Sequence, residues 1–143
     1  MEQDIKTMAI LMKTVQAVES ITKKNLATYG LNITEFSTLE ALYFKGRLPV
    51  QGICSNVLIA NSSMTYVLDK LEKRGWISRT RDQHDKRTYY VDLTKEGRAF
   101  IEDILPKHIH LMQQILSVLT LDEQKSVNEL LKKLGYHAKS LEG

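Results

Sequence analysis

Apolar residues return every three or four positions along most of the chain, and breaks in that rhythm divide it into elements. In residues 4–29, Ile5, Met8, Met12, Val15, Val18 and Leu26 share one stripe with no Pro or Gly between them, which predicts a long amphipathic helix closed by Gly30. Asn32-Ile33-Thr34-Glu35 has the capping-box pattern, in which the Asn side chain and the Glu three residues on satisfy each other's backbone N–H groups. It opens a second helix with Phe36, Leu39, Leu42 and Tyr43 on one face, ending at Gly46. Pro49 suits the first turn of a short helix whose apolar positions are Val50, Ile53, Cys54 and Val57. After a brief turn, Asn61 or Ser62 caps another helix in which Met64, Val67, Leu68 and Leu71 repeat at helical spacing before Gly75 stops it. Two short helices joined this tightly have the spacing of a helix-turn-helix.

The period then shortens. Trp76 to Arg81 and Thr88 to Leu93 are rich in aromatic, Thr and β-branched residues and flank the polar, basic run Asp82 to Arg87, which predicts a β-hairpin. Thr94 caps a long helix carrying Phe100, Ile101, Ile104, Leu105, Ile109, Met112, Ile115, Leu116 and Leu119. A kink is expected at Pro106, whose ring blocks a backbone hydrogen bond. Thr120-Leu121-Asp122-Glu123 is a second capping box, opening a helix with Val127, Leu130, Leu131 and Leu134 inward. The expected fold class is mainly α with a small β-hairpin (α+β): a helix-turn-helix and a hairpin wing between long terminal helices.

At 143 residues, 43% of them hydrophobic and 26% charged, the chain fits one globular domain. Charges interrupt every long apolar run, so no membrane span is expected. A lone Cys54 and an acid-bearing start, Met1 to Asp4, point to the cytoplasm. The net charge of +3 decides little until it is resolved by position: residues 45–98 hold 11 basic and 6 acidic side chains, net +5, while the remainder holds 9 basic and 11 acidic, net −2. Positive charge thus sits on the helix-turn-helix and hairpin, where a nucleic-acid binder needs it. An enzyme is not expected. His108 and His110 diverge on a helix, no carboxylate or second Cys completes a metal set, and no Gly-rich phosphate loop or nucleophile elbow is present. No cofactor is expected either.

Four stretches carry a resemblance: Gly30-Leu31-Asn32-Ile33-Thr34-Glu35-Phe36, Asp69-Lys70-Leu71-Glu72-Lys73-Arg74-Gly75-Trp76, the wing run Asp82 to Arg87, and Leu93-Thr94-Lys95-Glu96-Gly97-Arg98. In that order, and with these helices between them, they resemble the MarR family of bacterial regulators over nearly the whole chain. Leu130-Leu131-Lys132-Lys133-Leu134-Gly135-Tyr136 and Thr65-Tyr66-Val67 are also similar to the branch that responds to quinones and hydroquinones. One departure stands out: the family often carries Gly in the turn between the two short helices, and here Leu58 takes that place. The resemblance implies a single domain over 1–143, with a winged helix-turn-helix at 32–98 (helix-turn-helix about 49–75, wing about 76–93). Residues 1–30 and 99–143 would then be dimerisation helices.

On this reading the helix beginning near Asn61 presents Ser62, Ser63, Thr65, Tyr66, Lys70 and Lys73 opposite its apolar stripe. Small polar residues in its first half suit a major groove, so base reading is assigned to Ser62, Ser63, Thr65 and Tyr66. The plainer alternative is that they cap and solvate a surface helix. In the wing, Arg79, Arg81, Lys86 and Arg87 bracket Asp82 and Asp85, and a guanidinium at a hairpin tip suits the narrow minor groove. Arg87 is the first candidate, in line with the resemblance. Asp82 and Asp85 would order the tip by accepting hydrogen bonds from Arg87 or from loop N–H groups. The plainer alternative is a solvated charged hairpin.

The terminal helices carry more apolar surface than a small helix-turn-helix can cover, and the resemblance implies that two chains interlock through them. The expected partner is then a pseudo-palindromic duplex DNA operator, and the expected function that of a homodimeric repressor released by a small aromatic, phenolic or quinone-like effector. Met12, Tyr29, Phe36 and Tyr43 are the candidate effector pocket, although such stripes are more often plain core. Cys54 is a candidate redox site, set against the commoner reading of a buried thiol on an apolar face. The competing function is a winged-helix interaction module that binds protein or RNA through the same basic face.

Overall fold

The computed structural model describes residues 1–57 and 64–143. Its elements are α1 (Glu2–Ala27), α2 (Ile33–Lys45), β1 (Leu48–Pro49), α3 (Val50–Asn56), α4 (Met64–Lys73), β2 (Ile77–Arg81), β3 (Tyr89–Leu93), α5 (Lys95–Leu116) and α6 (Leu121–Ser140). The chain divides into two compact units, Met1–His108 and Ile109–Gly143, and the division falls inside α5. The expected fold class holds: mainly helical, with a small antiparallel wing.

In the first unit, local chemistry sets the helix ends. Asn32 accepts from the Glu35 N–H and Glu35 Oε1 from the Asn32 N–H, each at 2.8 Å, so the capping box at the start of α2 is complete. Helices α1 and α4 both end on a glycine with positive φ, Gly30 at 74° and Gly75 at 80°. At each end the following residue bonds back five positions, Leu31 N–H to Leu26 O and Trp76 N–H to Leu71 O, both at 3.1 Å. Such left-handed closures favour Gly because any Cβ there meets the backbone.

The core is built from the predicted apolar faces: Phe36, Leu39 and Leu42 of α2, Ile53 of α3, Met64, Val67, Leu68 and Leu71 of α4, Ile77 and Val91 of the wing, and Ile101, Ile104 and Leu105 of α5. Strands β2 and β3 pair antiparallel, Ile77 with Leu93 through Arg81 with Tyr89. A third strand joins them. Leu48 and Pro49 pair with Val91 and Tyr90, giving the sheet order β1-β3-β2. The hairpin expectation missed this edge, since two residues carry no alternation to read; Pro49, lacking an N–H, is tolerated on an edge strand.

Two burial expectations are corrected. Cys54, expected on an apolar face, is exposed. In so short a helix Ile53 takes the buried face, as does Val57 just past its end, and Cys54 is rotated about 100° from Ile53. In α1 only Leu26 is buried, while Ile5, Met8, Met12, Val15 and Val18 remain exposed.

Helix α5 begins at a close backbone crossing. Thr94 donates its hydroxyl to Gly75 O (2.6 Å) and accepts from the Gly97 N–H (3.0 Å), while the Thr94 N–H bonds Trp76 O (3.0 Å). The Trp76 ring stacks on Phe100 at 3.9 Å. The helix runs on through Pro106 without interruption, the bonds of its flanking turns carrying it past the one the ring removes. His108 is 9% exposed, its ring lies 4.4 Å from that of Phe36, and its Nδ1 has no partner.

Burial lowers the His108 pKa below 6.5, so between the two values the unfolded chain binds more protons than the folded one. Its contribution to stability is therefore complete above pH 6.5 and declines as pH falls through the folded value. Urea unfolding at several pH values should show this decline in the parent and a shallower one in His108→Leu. Equal slopes would contradict it.

In the second unit, Thr120 and Glu123 complete the other capping box, at 3.1 and 2.9 Å. Helix α6 then buries none of its residues, and Leu130, Leu131 and Leu134 are exposed. The inward face expected from their spacing is thus corrected for the single chain: periodicity marks an apolar stripe but not what covers it.

Candidate nucleic-acid interface

Helix α4 and the wing hold most of the candidate residues. Thr65 and Tyr66 are exposed on the first turn of α4, Tyr66 to 68%, because Met64, Val67 and Leu68 turn the opposite face to the core. Ser62 and Ser63, with the proposed cap Asn61 and the departure at Leu58, lie outside the described residues. An open groove of about 650 Å³ runs between α3, α4 and the wing, lined in part by Gln51, Thr65, Glu72, Arg79 and Arg87.

The candidate cations separate into two groups. Lys70 Nζ stands 3.3 Å from Glu35 Oε2, the carboxylate being 1% exposed. That buried carboxylate already uses its other oxygen in the α2 capping box, and the ammonium offsets part of its desolvation. Arg79 donates through one nitrogen to Asp69 Oδ1 at 2.6 Å and Glu72 Oε1 at 2.7 Å. The Glu72 hydrogen bond, with Asp69 behind it, raises the Arg79 pKa against the opposing effect of desolvation. These two cations are committed within the chain.

The second group keeps its charge available. Among the described residues Arg81 donates to the Tyr89 hydroxyl, at 3.2 and 2.9 Å, and to no carboxylate. Lys73, Lys86 and Arg87 are exposed, and no ion pair holds them among the described residues.

The wing tip is tightly folded. Asp82 Oδ2 accepts from the Asp85 N–H (3.1 Å), Asp85 Oδ1 from the Arg87 N–H (3.0 Å), and Asp85 Oδ2 from the Thr88 hydroxyl (3.0 Å). Backbone bonds between Asp82 and Thr88 and between Thr88 and Asp85 close the loop. Both carboxylates thus grip the loop rather than the Arg87 guanidinium, which has no ion pair among the described residues.

Of the candidate effector residues, three meet α5. Phe36 lies against His108, the Tyr43 hydroxyl is 3.3 Å from Glu102, and Lys107 sits over the Tyr29 ring at 5.5 Å. Met12 is exposed on α1 and takes no part in those contacts. Residues that the sequence reading passed over are Arg74, which donates to Gly30 O at 2.9 Å and covers the Trp76 ring, and Glu35 in its second role. Their partners lie 44 and 35 positions away, beyond any local spacing rule. No group of three metal-ligating side chains occurs among the described residues, and none of their helices is long and apolar enough to cross a membrane.

Two short helices, the second presenting Thr65 and Tyr66 on its first turn, and a hairpin with an exposed arginine at its tip define a winged helix-turn-helix protein. Residues 31–89 match the MarR family. The chain is 35% identical over 138 residues to the HTH-type transcriptional regulator MhqR of Bacillus subtilis, covering 96% of this chain and 95% of that relative. It is 36% identical over 132 residues to a second regulator of that organism, the uncharacterized YkoM, covering 92% and 86%. Among solved structures, Sco3205, a MarR family transcriptional regulator from Streptomyces coelicolor in complex with DNA, superimposes with a TM-score of 0.87 at 22% identity, covering 94% of this chain and 87% of that one. The chain belongs to the MarR family and is a DNA-binding transcriptional regulator.

Proposed function

We propose that the protein is a homodimeric repressor that reads a pseudo-palindromic operator with α4 and the wing and is released by a small phenolic or quinone-like effector. The observation that carries the DNA contact is the sorting of charges: among the described residues Lys73, Arg81, Lys86 and Arg87 are exposed and form no ion pair, while Lys70 and Arg79 are paired with carboxylates of the chain. Ser62, Ser63, Thr65 and Tyr66 read bases and Arg87 enters the minor groove. Dimerisation rests on apolar residues that the chain leaves uncovered, Ile5, Met8, Met12, Val15 and Val18 on α1 and Leu130, Leu131 and Leu134 on α6. A second copy offering the same stripes would bury them.

The effector assignment rests on the likeness at Leu130–Tyr136 and Thr65–Val67, with Tyr29, Phe36 and Tyr43 as its candidate aromatic contacts. An effector can act only by binding the released arrangement more tightly than the DNA-bound one. Selection of bound duplexes from a random pool, repeated with phenols and quinones present, tests the reading. A two-fold-symmetric consensus whose recovery falls with one of those compounds is expected. Weak, sequence-blind binding to duplex DNA would favour the protein- or RNA-binding interaction module instead. For the effector we expect non-covalent binding, so Cys54→Ser should be released as the parent is; loss of the response in that variant would assign it to the thiol.

A further inference from the structure

Asp69 and Glu72 are three apart on α4 and therefore project from one side of the helix. Arg79 lies on β2, on the sheet face that also carries Ile77 and Arg81. Between helix and strand the chain turns at Gly75, and the Arg79 side chain, 24% exposed, reaches back across the turn to both carboxylates. Counted together the three groups carry one positive and two negative charges. A phosphate approaching Arg79 would meet a net negative cluster, held together by contacts of 2.6 and 2.7 Å to one guanidinium nitrogen. Charge-assisted bonds that short are among the stronger hydrogen bonds a protein makes.

The cluster ties together parts that carry different contacts. Arg79 pairs with Val91 across the sheet, so β3 and the loop it closes are carried with β2. Thr65, Glu72, Arg79, Arg87 and Tyr89 border one groove. A protein that reads two adjacent grooves needs a set distance between its two reading elements, and any freedom between them is lost on binding.

We infer that Arg79 is a positioning residue rather than a phosphate ligand: gripped by Asp69 and Glu72, it sets the spacing between the face of α4 that carries Thr65 and Tyr66 and the wing tip that carries Arg87. The inference rests on the operator reading above and removes Arg79 from the DNA contacts that its charge and position in the sequence suggest.

Three variants test it on the full-length protein: Arg79→Ala, the near-isosteric pair Asp69→Asn with Glu72→Gln, and all three changes together. Binding is measured on the selected operator and on a scrambled duplex across salt. Arg79→Ala should weaken operator binding on the order of 10-fold and leave the salt slope at the parent value, whereas loss of a phosphate contact would lower the slope by about 0.9. The carboxamide pair removes two negative charges beside DNA. It should nevertheless weaken operator binding while tightening scrambled binding, and the triple variant should bind no more weakly than Arg79→Ala.

A carboxamide pair that keeps or raises the preference for operator over scrambled duplex would overturn the inference, as would a slope reduced by about 0.9 in Arg79→Ala. Thermal melts identify any variant that fails to fold, and the carboxamide pair, which preserves side-chain shape, keeps the test decisive if Arg79→Ala does. Equal affinity of the parent for operator and scrambled duplex would defeat the operator reading itself, a result obtained before any variant is made.

Discussion

Gly97→Ala is expected to cost about 3 kcal/mol or more of folding stability. A Cβ at Gly97 would stand inside van der Waals contact of the Trp76 carbonyl oxygen, with the carbonyl carbon at 2.8 Å and Trp76 Cα at 3.0 Å. None of these atoms can rotate away. The same carbonyl accepts the Thr94 N–H, and Thr94 in turn bonds Gly75 and the Gly97 N–H, so moving the Trp76 backbone disturbs the start of α5 and the end of α4 together. Losing a Thr cap alone would cost only about 1 kcal/mol; the clash is therefore the larger effect. Urea unfolding of Gly97→Ala and Thr94→Ala measures the two separately. Gly135→Ala is the control, because a Cβ there meets nothing within 4 Å, and in a helix interior it should stabilise by up to about 1 kcal/mol. A Gly97→Ala protein as stable as its parent would contradict the close approach.

The second large effect is at the wing tip, where Arg87→Ala is expected to weaken operator binding by about 1–3 kcal/mol and to lower the salt slope by about 0.9, with the melting transition unchanged. The Arg87 side chain is exposed and unpaired among the described residues, so its removal costs the fold little, while its backbone N–H keeps the bond to Asp85. Asp85→Ala should also reduce affinity, by a different route: it removes an acceptor from Arg87 N–H and Thr88 Oγ1, loosening the tip, without deleting a positive charge. Salt-titrated anisotropy separates them, because only the arginine variant should lose slope. Unchanged operator affinity in Arg87→Ala would remove the wing tip from the interface.

Sequence reading reached the helices because their signals are local. The Asn32-Glu35 and Thr120-Glu123 boxes, the glycine stops and the stripe from Met64 to Leu71 each depend on residues within about two turns of one another. It also located the basic segment and the pair Asp82 and Asp85, whose hydrogen-bond partners lie within the loop. The Leu48–Pro49 strand escaped notice because the strand it pairs with is about 40 residues away, and Cys54 was placed on the wrong side of a helix too short for its period to decide.

What the sequence determined by itself is therefore the helices and the hairpin, their order, the apolar stripes and the winged helix-turn-helix class, all consequences of backbone hydrogen bonding and side-chain period over short separations. Only the tertiary structure decided which charges are paired. Lys70 and Arg79 look the same as Lys86 and Arg87 in the sequence, yet the first two are drawn to carboxylates that folding brings from α2 and α4. The cause is physical: a carboxylate buried or clustered by the fold must find a cation at whatever sequence distance the packing supplies one.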